Sequence, residues 1–232
     1  MKYSLLILMI LMTFSSAFAQ NYYWNCLTID VDDESRLANA MDLFMATDKG
    51  KSMPIVSLSS IENMNSNLNA THQLCVVTEN PGDLDNMDSY FANAEAMVLY
   101  EAWEDEVKVR SSILGRSLYA NATGNSNVFS TVFSISVSDP AKFATAFKAF
   151  SASLPDVHLE LHGAISGAEN YVSHYVVARA KNLAEWIATD ERVNSSEEFA
   201  TFAQNAAGSF QVVNVTSMRE LKSYNAPDAS SN

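Results

Sequence analysis

Several things are scarce in this chain. It has two cysteines, Cys26 and Cys75, in 232 residues. Two are too few for a disulfide scaffold or a cysteine-rich metal site. In an oxidising compartment they can form a single bridge. Basic residues are outnumbered, 14 against 27 acids, for a formal net charge of −13. Phosphate backbones and anionic membranes are gripped through Lys and Arg, so this balance argues against nucleic acid and against a membrane surface. The longest apolar run, Leu5–Phe14, is shorter than the roughly 20 residues a spanning helix needs. GxSxG, P-loop, GxGxxG, HExxH and CxxC motifs are all missing. The acidic cluster Asp30, Asp32, Asp33 and Glu34 lacks the spacing and the glycine of an EF-hand.

The first 19 residues have their own pattern. Lys2 is followed by the short apolar run, then by Ala17-Phe18-Ala19 and Gln20. A basic start, a short apolar core and an A-x-A exit predict a secretory signal peptide cut between Ala19 and Gln20. The expected product is a secreted or periplasmic soluble protein, with no membrane attachment after cleavage. Removing this leader takes away Lys2 and no acid, so the mature chain is more acidic still. Sequons occur at Asn69, Asn121, Asn194 and Asn214, and matter only in a eukaryotic secretory pathway.

Internal repetition is the strongest signal in the rest. At one constant offset, Leu27, Ile29 and Val31 fall on Phe133, Ile135 and Val137. Asp33 falls on Asp139, and Leu37, Ala40, Met41 and Phe44 fall on Phe143, Ala146, Phe147 and Phe150. Both copies alternate apolar and polar, then switch to apolar at i, i+3, i+4, i+7. That is a half-buried strand feeding an amphipathic helix. Asp32 or Asp33, and Asp139 before Pro140, sit where an N-cap carboxylate accepts orphan amide hydrogens.

Reading on, the first helix runs to about Asp48, Ile55–Ser59 is a strand, and Ile61–Ala70 is a loop. His72–Thr78 is a strand, a helical stretch follows, and Ser112–Tyr119 is the fourth strand. In the second copy the strands are Phe129–Val137, Val157–His162, Tyr171–Arg179 and Phe210–Met218. Helices cover Pro140–Ser153, Leu183–Glu191 and a segment opened by a Ser195/Glu198 capping box. The domain plan is residues 1–19 leader, 20–120 first unit, 121–127 polar linker, 128–224 second unit and 225–232 disordered tail.

This doubled β-α-β-β-α-β order resembles the ferredoxin-like units of the dimeric α+β barrel superfamily. The second helical region, broken between Asn182–Arg192 and Ser195–Ala207, looks like its antibiotic-biosynthesis-monooxygenase-type members. The resemblance implies an α+β fold of two tandem ferredoxin-like repeats. They would pack as an intrachain barrel, with two sheets facing each other and helices outside. It implies a ligand or active site between the sheets, and a single chain doing the work of a homodimer, as a monomer or a further dimer. The superfamily also includes chlorite-dismutase-like and dye-peroxidase-like haem proteins, where the resemblance implies a His ligand on a helix of the second unit. Leu183–Arg192 and Glu197–Ala207 contain no His, which argues against haem. RNA-recognition domains share the topology, but the acidic charge argues against them.

In an ordinary reading of alternation, His158, Glu160 and His162 share one strand face, with Val157, Leu159 and Leu161 on the other. His174 lies on the next strand. His and Glu suit zinc or iron, but i and i+4 on a strand are about 13 Å apart, so both His cannot easily share one ion. If the sheets face each other, this face meets Asp30, Thr28, Ser134 and Ser136 from the first strands. The plain alternative is a solvated outer face with no chemistry. The 4-1-3-2 strand order of a ferredoxin-like unit makes strands one and three antiparallel neighbours, which puts Cys26 opposite Cys75 if the register allows. Two functions stay open: an exported protein binding a small molecule or partner between its sheets, or a cofactor-light, monooxygenase-like enzyme acting on a small aromatic substrate.

Overall fold

A computed structural model describes residues 22–64, 69–121, 128–169 and 171–226. The leader, the stretch 122–127 and residues 227–232 lie outside the described residues. The fold is α+β, an eight-stranded antiparallel sheet with eight α-helices among the described residues. The first half runs β1 (Tyr23–Val31), α1 (Glu34–Met45), α2 (Asp48–Lys51), β2 (Ile55–Met64) and β3 (His72–Thr78). It continues through α3 (Pro81–Asp85), α4 (Met87–Phe91), a 3-10 turn (Ala94–Ala96), α5 (Met97–Glu106) and β4 (Val107–Ala120). The second half runs β5 (Phe129–Val137), α6 (Pro140–Ser153), β6 (His158–Ser166), β7 (His174–Ala180), α7 (Leu183–Asn194), α8 (Glu197–Asn205) and β8 (Phe210–Tyr224).

The strands close into one barrel in the order β1-β3-β2-β8-β5-β7-β6-β4. The two groups of four meet edge to edge, β2 on β8 and β4 on β6. The reason lies in strand length. β2 continues to Met64 and β8 reaches Tyr224. Those extra residues supply much of the β2–β8 pairing between halves, including Ile61↔Met218 and Val56↔Tyr224, whereas the early start of β4 at Val107 lengthens its pairing with β1. Ser, Asn and Glu in these extensions hide them from a reading of apolar periodicity.

Both expected N-caps are present. Asp33 Oδ1 accepts from the Arg36 amide at 3.0 Å, and Asp139 Oδ1 from the Lys142 amide at 3.0 Å. The first helix stops at Met45, before the expected end, because Thr47 caps a separate turn by accepting from the Gly50 amide. The last helix is capped by Ser196, which accepts from the Phe199 amide, and not by Ser195. That shifts Glu198 out of the capping-box position.

Apolar residues gather in two clusters between barrel and helices. Ile29, Leu37, Phe44 and Leu58 anchor the first; Ile135, Phe143, Phe147 and Leu161 anchor the second. Each such side chain contributes about 1.5–3 kcal/mol when fully buried. Helices therefore cover the outer wall, and the other face of every strand is left to the barrel interior. Asn225, in the segment read as tail, donates to the Gly50 and Met53 carbonyls at 3.0 Å. No helix among the described residues is long and apolar enough to cross a membrane.

Candidate functional site

The barrel interior encloses a cavity of about 460 Å³. Strand alternation decides what reaches it. Leu27 and Ile29 point to the helices, so Trp24, Cys26 and Thr28 point inward. Leu159 and Leu161 pack under α6, so His158, Glu160 and His162 point inward. Tyr175, Val177 and Arg179 on β7 and Glu220 on β8 join them. Sulfur bridges part of the wall: Cys26 and Cys75 are directly opposed on β1 and β3 and form a disulfide with Cα atoms 4.1 Å apart.

Glu160 is the hub of one wall. Its Oε1 accepts from His158 Nε2 at 2.8 Å and from Arg179 Nε at 2.6 Å. Its Oε2 accepts from His162 Nε2 at 2.8 Å. Register makes this possible, because His158 lies across the β6–β7 ladder from Arg179. Burial is the largest influence on the Glu160 carboxyl and pushes its pKa up. The Arg179 charge and the hydrogen bonds from His158 and His162 outweigh burial and hold it well below the usual carboxylate range. Glu160 is therefore a fixed anion.

A second layer sets the ring of His162. Trp24 Nε1 donates to His162 Nδ1 at 3.2 Å. Indole is only a donor, so Nδ1 must accept and the proton donated to Glu160 sits on Nε2. Trp24 also meets His162 and Tyr175 edge-on, at centroid distances of 5.9 and 5.8 Å. The indole lies over Gly115, its partner across the β1–β4 ladder. A Cβ at Gly115 would fall 2.1 Å from the Trp24 ring, so only glycine leaves room for it. Burial and the nearby Glu169 push the Tyr175 phenol up to about 12, so it stays protonated at neutral pH.

Arg179 has more to give. Its side chain is 35% exposed although it sits within the barrel, so that exposure faces the cavity. Among the described residues its two Nη groups have no hydrogen-bond acceptor, since only Nε is engaged. Glu220 lies close enough for its charge to act on Arg179. Burial pushes the Glu220 carboxyl up, and the Arg179 charge offsets that only in part.

Of the expected site residues, His158, Glu160, His162, Thr28 and Ser134 line the cavity together. Asp30, Ser136 and His174 do not. Asp30 lies beyond Thr28 toward the strand end and pairs with Arg110 of β4. Ser136 lies at the equivalent C-terminal end of its own strand, opposite Gln211. His174 alternates with Tyr175 and so faces the helix side, where its Nδ1 meets Ser173 Oγ at 2.9 Å; burial lowers its pKa. Sequence reasoning missed Arg179, Tyr175 and Glu220. The pattern on β7 offers apolar residues on both faces (Val176 and Ala178, then Val177), so alternation alone could not say which face is inward.

The cluster does not suit a metal. Both imidazole Nε2 atoms are spent on Glu160, and His162 Nδ1 is spent on Trp24. Among the described residues no group of three or more His, Cys, Asp or Glu is arranged to hold an ion.

No protein-family model matches the chain, and no curated protein matches it in sequence. Solved structures do match in shape. A candidate monooxygenase from Lactobacillus acidophilus NCFM is 13% identical, with a TM-score of 0.62 over 89% of this chain and 96% of its own. One from Fusobacterium nucleatum is 12% identical, with a TM-score of 0.59 over 88% and 94%. An anthrone oxidase-like protein is 10% identical, with a TM-score of 0.52 over 92% and 97%. The chain has the dimeric α+β barrel fold. Chlorite dismutase from Candidatus Nitrospira defluvii shares that fold at a TM-score of 0.51. The haem site that the sequence resemblance raised as an expectation does not fit these residues. All four histidines lie in strands, and each is engaged: His72 with Glu34 and Thr71, His174 with Ser173, and the other two with Glu160.

Proposed function

We propose that the protein is an exported binder of a small, largely apolar ring compound carrying oxygen, held inside the barrel. The observation that carries this reading is a cavity of ligand size in which one wall holds the fixed groups Glu160 and Arg179, while apolar side chains alternate with Ser and Thr around the rest. The Nη groups of Arg179 would donate to a ligand oxygen, and Glu220 would accept from a ligand hydroxyl. Ile55, Ile61, Val132 and Met218 would cover the rings. The β2–β8 and β4–β6 ladders support reading the chain as two fused ferredoxin-like units, which supply within one molecule what a homodimer assembles from two. The A-x-A leader supports export.

Binding is favoured over acid–base turnover by the state of Glu160. A carboxylate held well below its range and already accepting three donors is a poor proton acceptor near neutral pH. Its role is to aim Arg179 and both imidazoles. The second reading, monooxygenase-like turnover of an aromatic substrate, rests on the names of the fold neighbours.

The test is a thermal-shift panel of hydroxylated and quinoid bicyclic aromatics on the purified protein, repeated with Arg179→Gln. A true ligand at 100 times its Kd stabilises by about 2.7 kcal/mol, and the variant should lose most of that shift. No shift from any compound, or an equal shift in the variant, would count against the reading. Oxygen uptake with the same compounds would move the assignment to the enzyme.

A further inference from the structure

The outer layer of the first half contains a second large space. It measures about 340 Å³ and lies between β1, β2 and β3 on one side and α1, α4 and α5 on the other. Met41, Met45, Met53 and Met87 line it, with Leu74 and Trp103. No charged side chain contributes to its wall.

The corresponding layer of the second half is filled. There Phe143, Phe147, Phe150, Phe199, Phe202 and Phe210 pack with ring centroids 4.8 to 6.2 Å apart. The difference is written in the repeat. Leu37 and Met41 stand where the second copy has Phe143 and Phe147. The covering helices differ as well. α7 and α8 are 12 and 9 residues long, whereas α3 and α4 have 5 each, and α4 has no side-chain cap.

We propose that this space is a second ligand site, taking a neutral apolar molecule of about two fused rings. Size supports it: an apolar cavity of about 150 Å³ takes benzene, and this one is roughly twice as large. An unfilled apolar space lowers stability in proportion to its volume, so an occupant that fits gains binding energy by removing that deficit. Charge supports it too, because an ion would be buried here without a partner. Methionine supplies the adaptability: four flexible, polarisable thioethers mould to a flat ring system in a way that the packed Phe layer cannot. Tyr100, 45% exposed on the rim, and the short α3 and α4 give an entry route, since brief helices with few fixed ends open most readily. The site does not depend on the barrel reading. The two cavities select different chemistry, since only the barrel presents Arg179.

Methionines also make the experiment, because Met64 and Met218 line the barrel and none of the other four does. The purified protein, labelled with 13C at Met methyl groups, is titrated with neutral N-phenyl-1-naphthylamine. The expected result is a saturable shift of the Met41, Met45, Met53 and Met87 methyl signals. If those four stay in place at millimolar probe, the proposal is overturned, whatever Met64 and Met218 do. As a second measurement, Met45→Trp should fill the space and weaken the component reported by the Met methyls at least tenfold. Unchanged affinity in a folded Met45→Trp protein would also overturn it. Should that variant fail to fold, the methyl titration on the unaltered protein decides alone.

Discussion

At the scale of single residues, Glu160 is where electrostatics and packing meet. It is 13% exposed and is approached by three donors. Replacing it with Gln leaves the Arg179 charge without its counter-ion, and breaking a buried pair on one side costs about 3 kcal/mol. The pH dependence follows from the direction of its shift. Its pKa in the folded state lies well below the unfolded value of about 4.3. The stability it contributes is therefore complete above that unfolded value and is lost as pH falls through the folded value. Urea melts should show a large gap between the parent protein and Glu160→Gln at pH 7, narrowing below about pH 4. A gap that stays constant down to pH 3 would mean that the carboxylate is not held ionised. Gly115 gives a second outcome. A Cβ there collides with the Trp24 ring, so Gly115→Ala should cost about 1–3 kcal/mol, in the range of core overpacking, and change the indole emission. Unaltered stability and emission would show that Trp24 has room to move. The inward face of β6 was legible in the sequence because alternation against Leu159 and Leu161 leaves no other choice. Arg179 was not, because its value depends on the cross-strand register that sets it opposite His158.

At the scale of elements, the same division holds. Strand-then-helix units, both aspartate caps and the doubled order could be read directly, since each rests on local chemistry. The ends of β2, β4 and β8 could not. Ser60, Glu62 and Asn63 look like loop residues, yet they extend β2, which pairs with β8 as far as Met64↔Thr216. Long-range pairing overrides local propensity here. The Cys26–Cys75 link is an element-level feature, tying the central strand β1 to β3 over a separation of 49 residues. Closing a loop of that size in the unfolded chain contributes about 4 kcal/mol in the chain-entropy model. Cys75→Ser paired with Cys26→Ser should lower the urea midpoint accordingly, with the barrel retained. A double variant as stable as the parent would show that the link has no such role. Loss of the α8 cap is milder. Ser196→Ala removes the acceptor for the Phe199 amide and should cost about 1 kcal/mol, read as a modest drop in melting temperature; no drop would locate the cap elsewhere.

At the scale of the whole molecule, the barrel has no free division between its halves. β2 pairs with β8 from Val56 to Met64, and the C-terminal half of β4 pairs with β6. Asp42 of α1 accepts from Lys222 and Tyr224 of β8 at 2.7 Å each, so a helix of one half is fastened to the last strand of the other. Separating the halves would expose two pairs of strand edges and open the interior cavity to water, with Glu160 and Arg179 in it. Each half alone would carry unpaired amide and carbonyl groups along both of its edges. The expectation is therefore one cooperative unfolding transition. Tryptophan placement allows a direct reading once Trp24, which touches His162 and Tyr175 of the second half, is replaced, because Trp103 then reports on the first half and Trp186 on the second. The double variants Trp24→Phe/Trp186→Phe and Trp24→Phe/Trp103→Phe should each unfold with a fluorescence midpoint equal to the circular-dichroism midpoint of the same variant. If fluorescence and dichroism separate in either variant, one half persists while the other melts. The edge-to-edge ladders would then not couple the two units. Coincidence of both probes in both variants would instead place the energetic unit at the whole barrel. In that case a ligand bound on the Arg179 wall would stabilise the first half as much as the second.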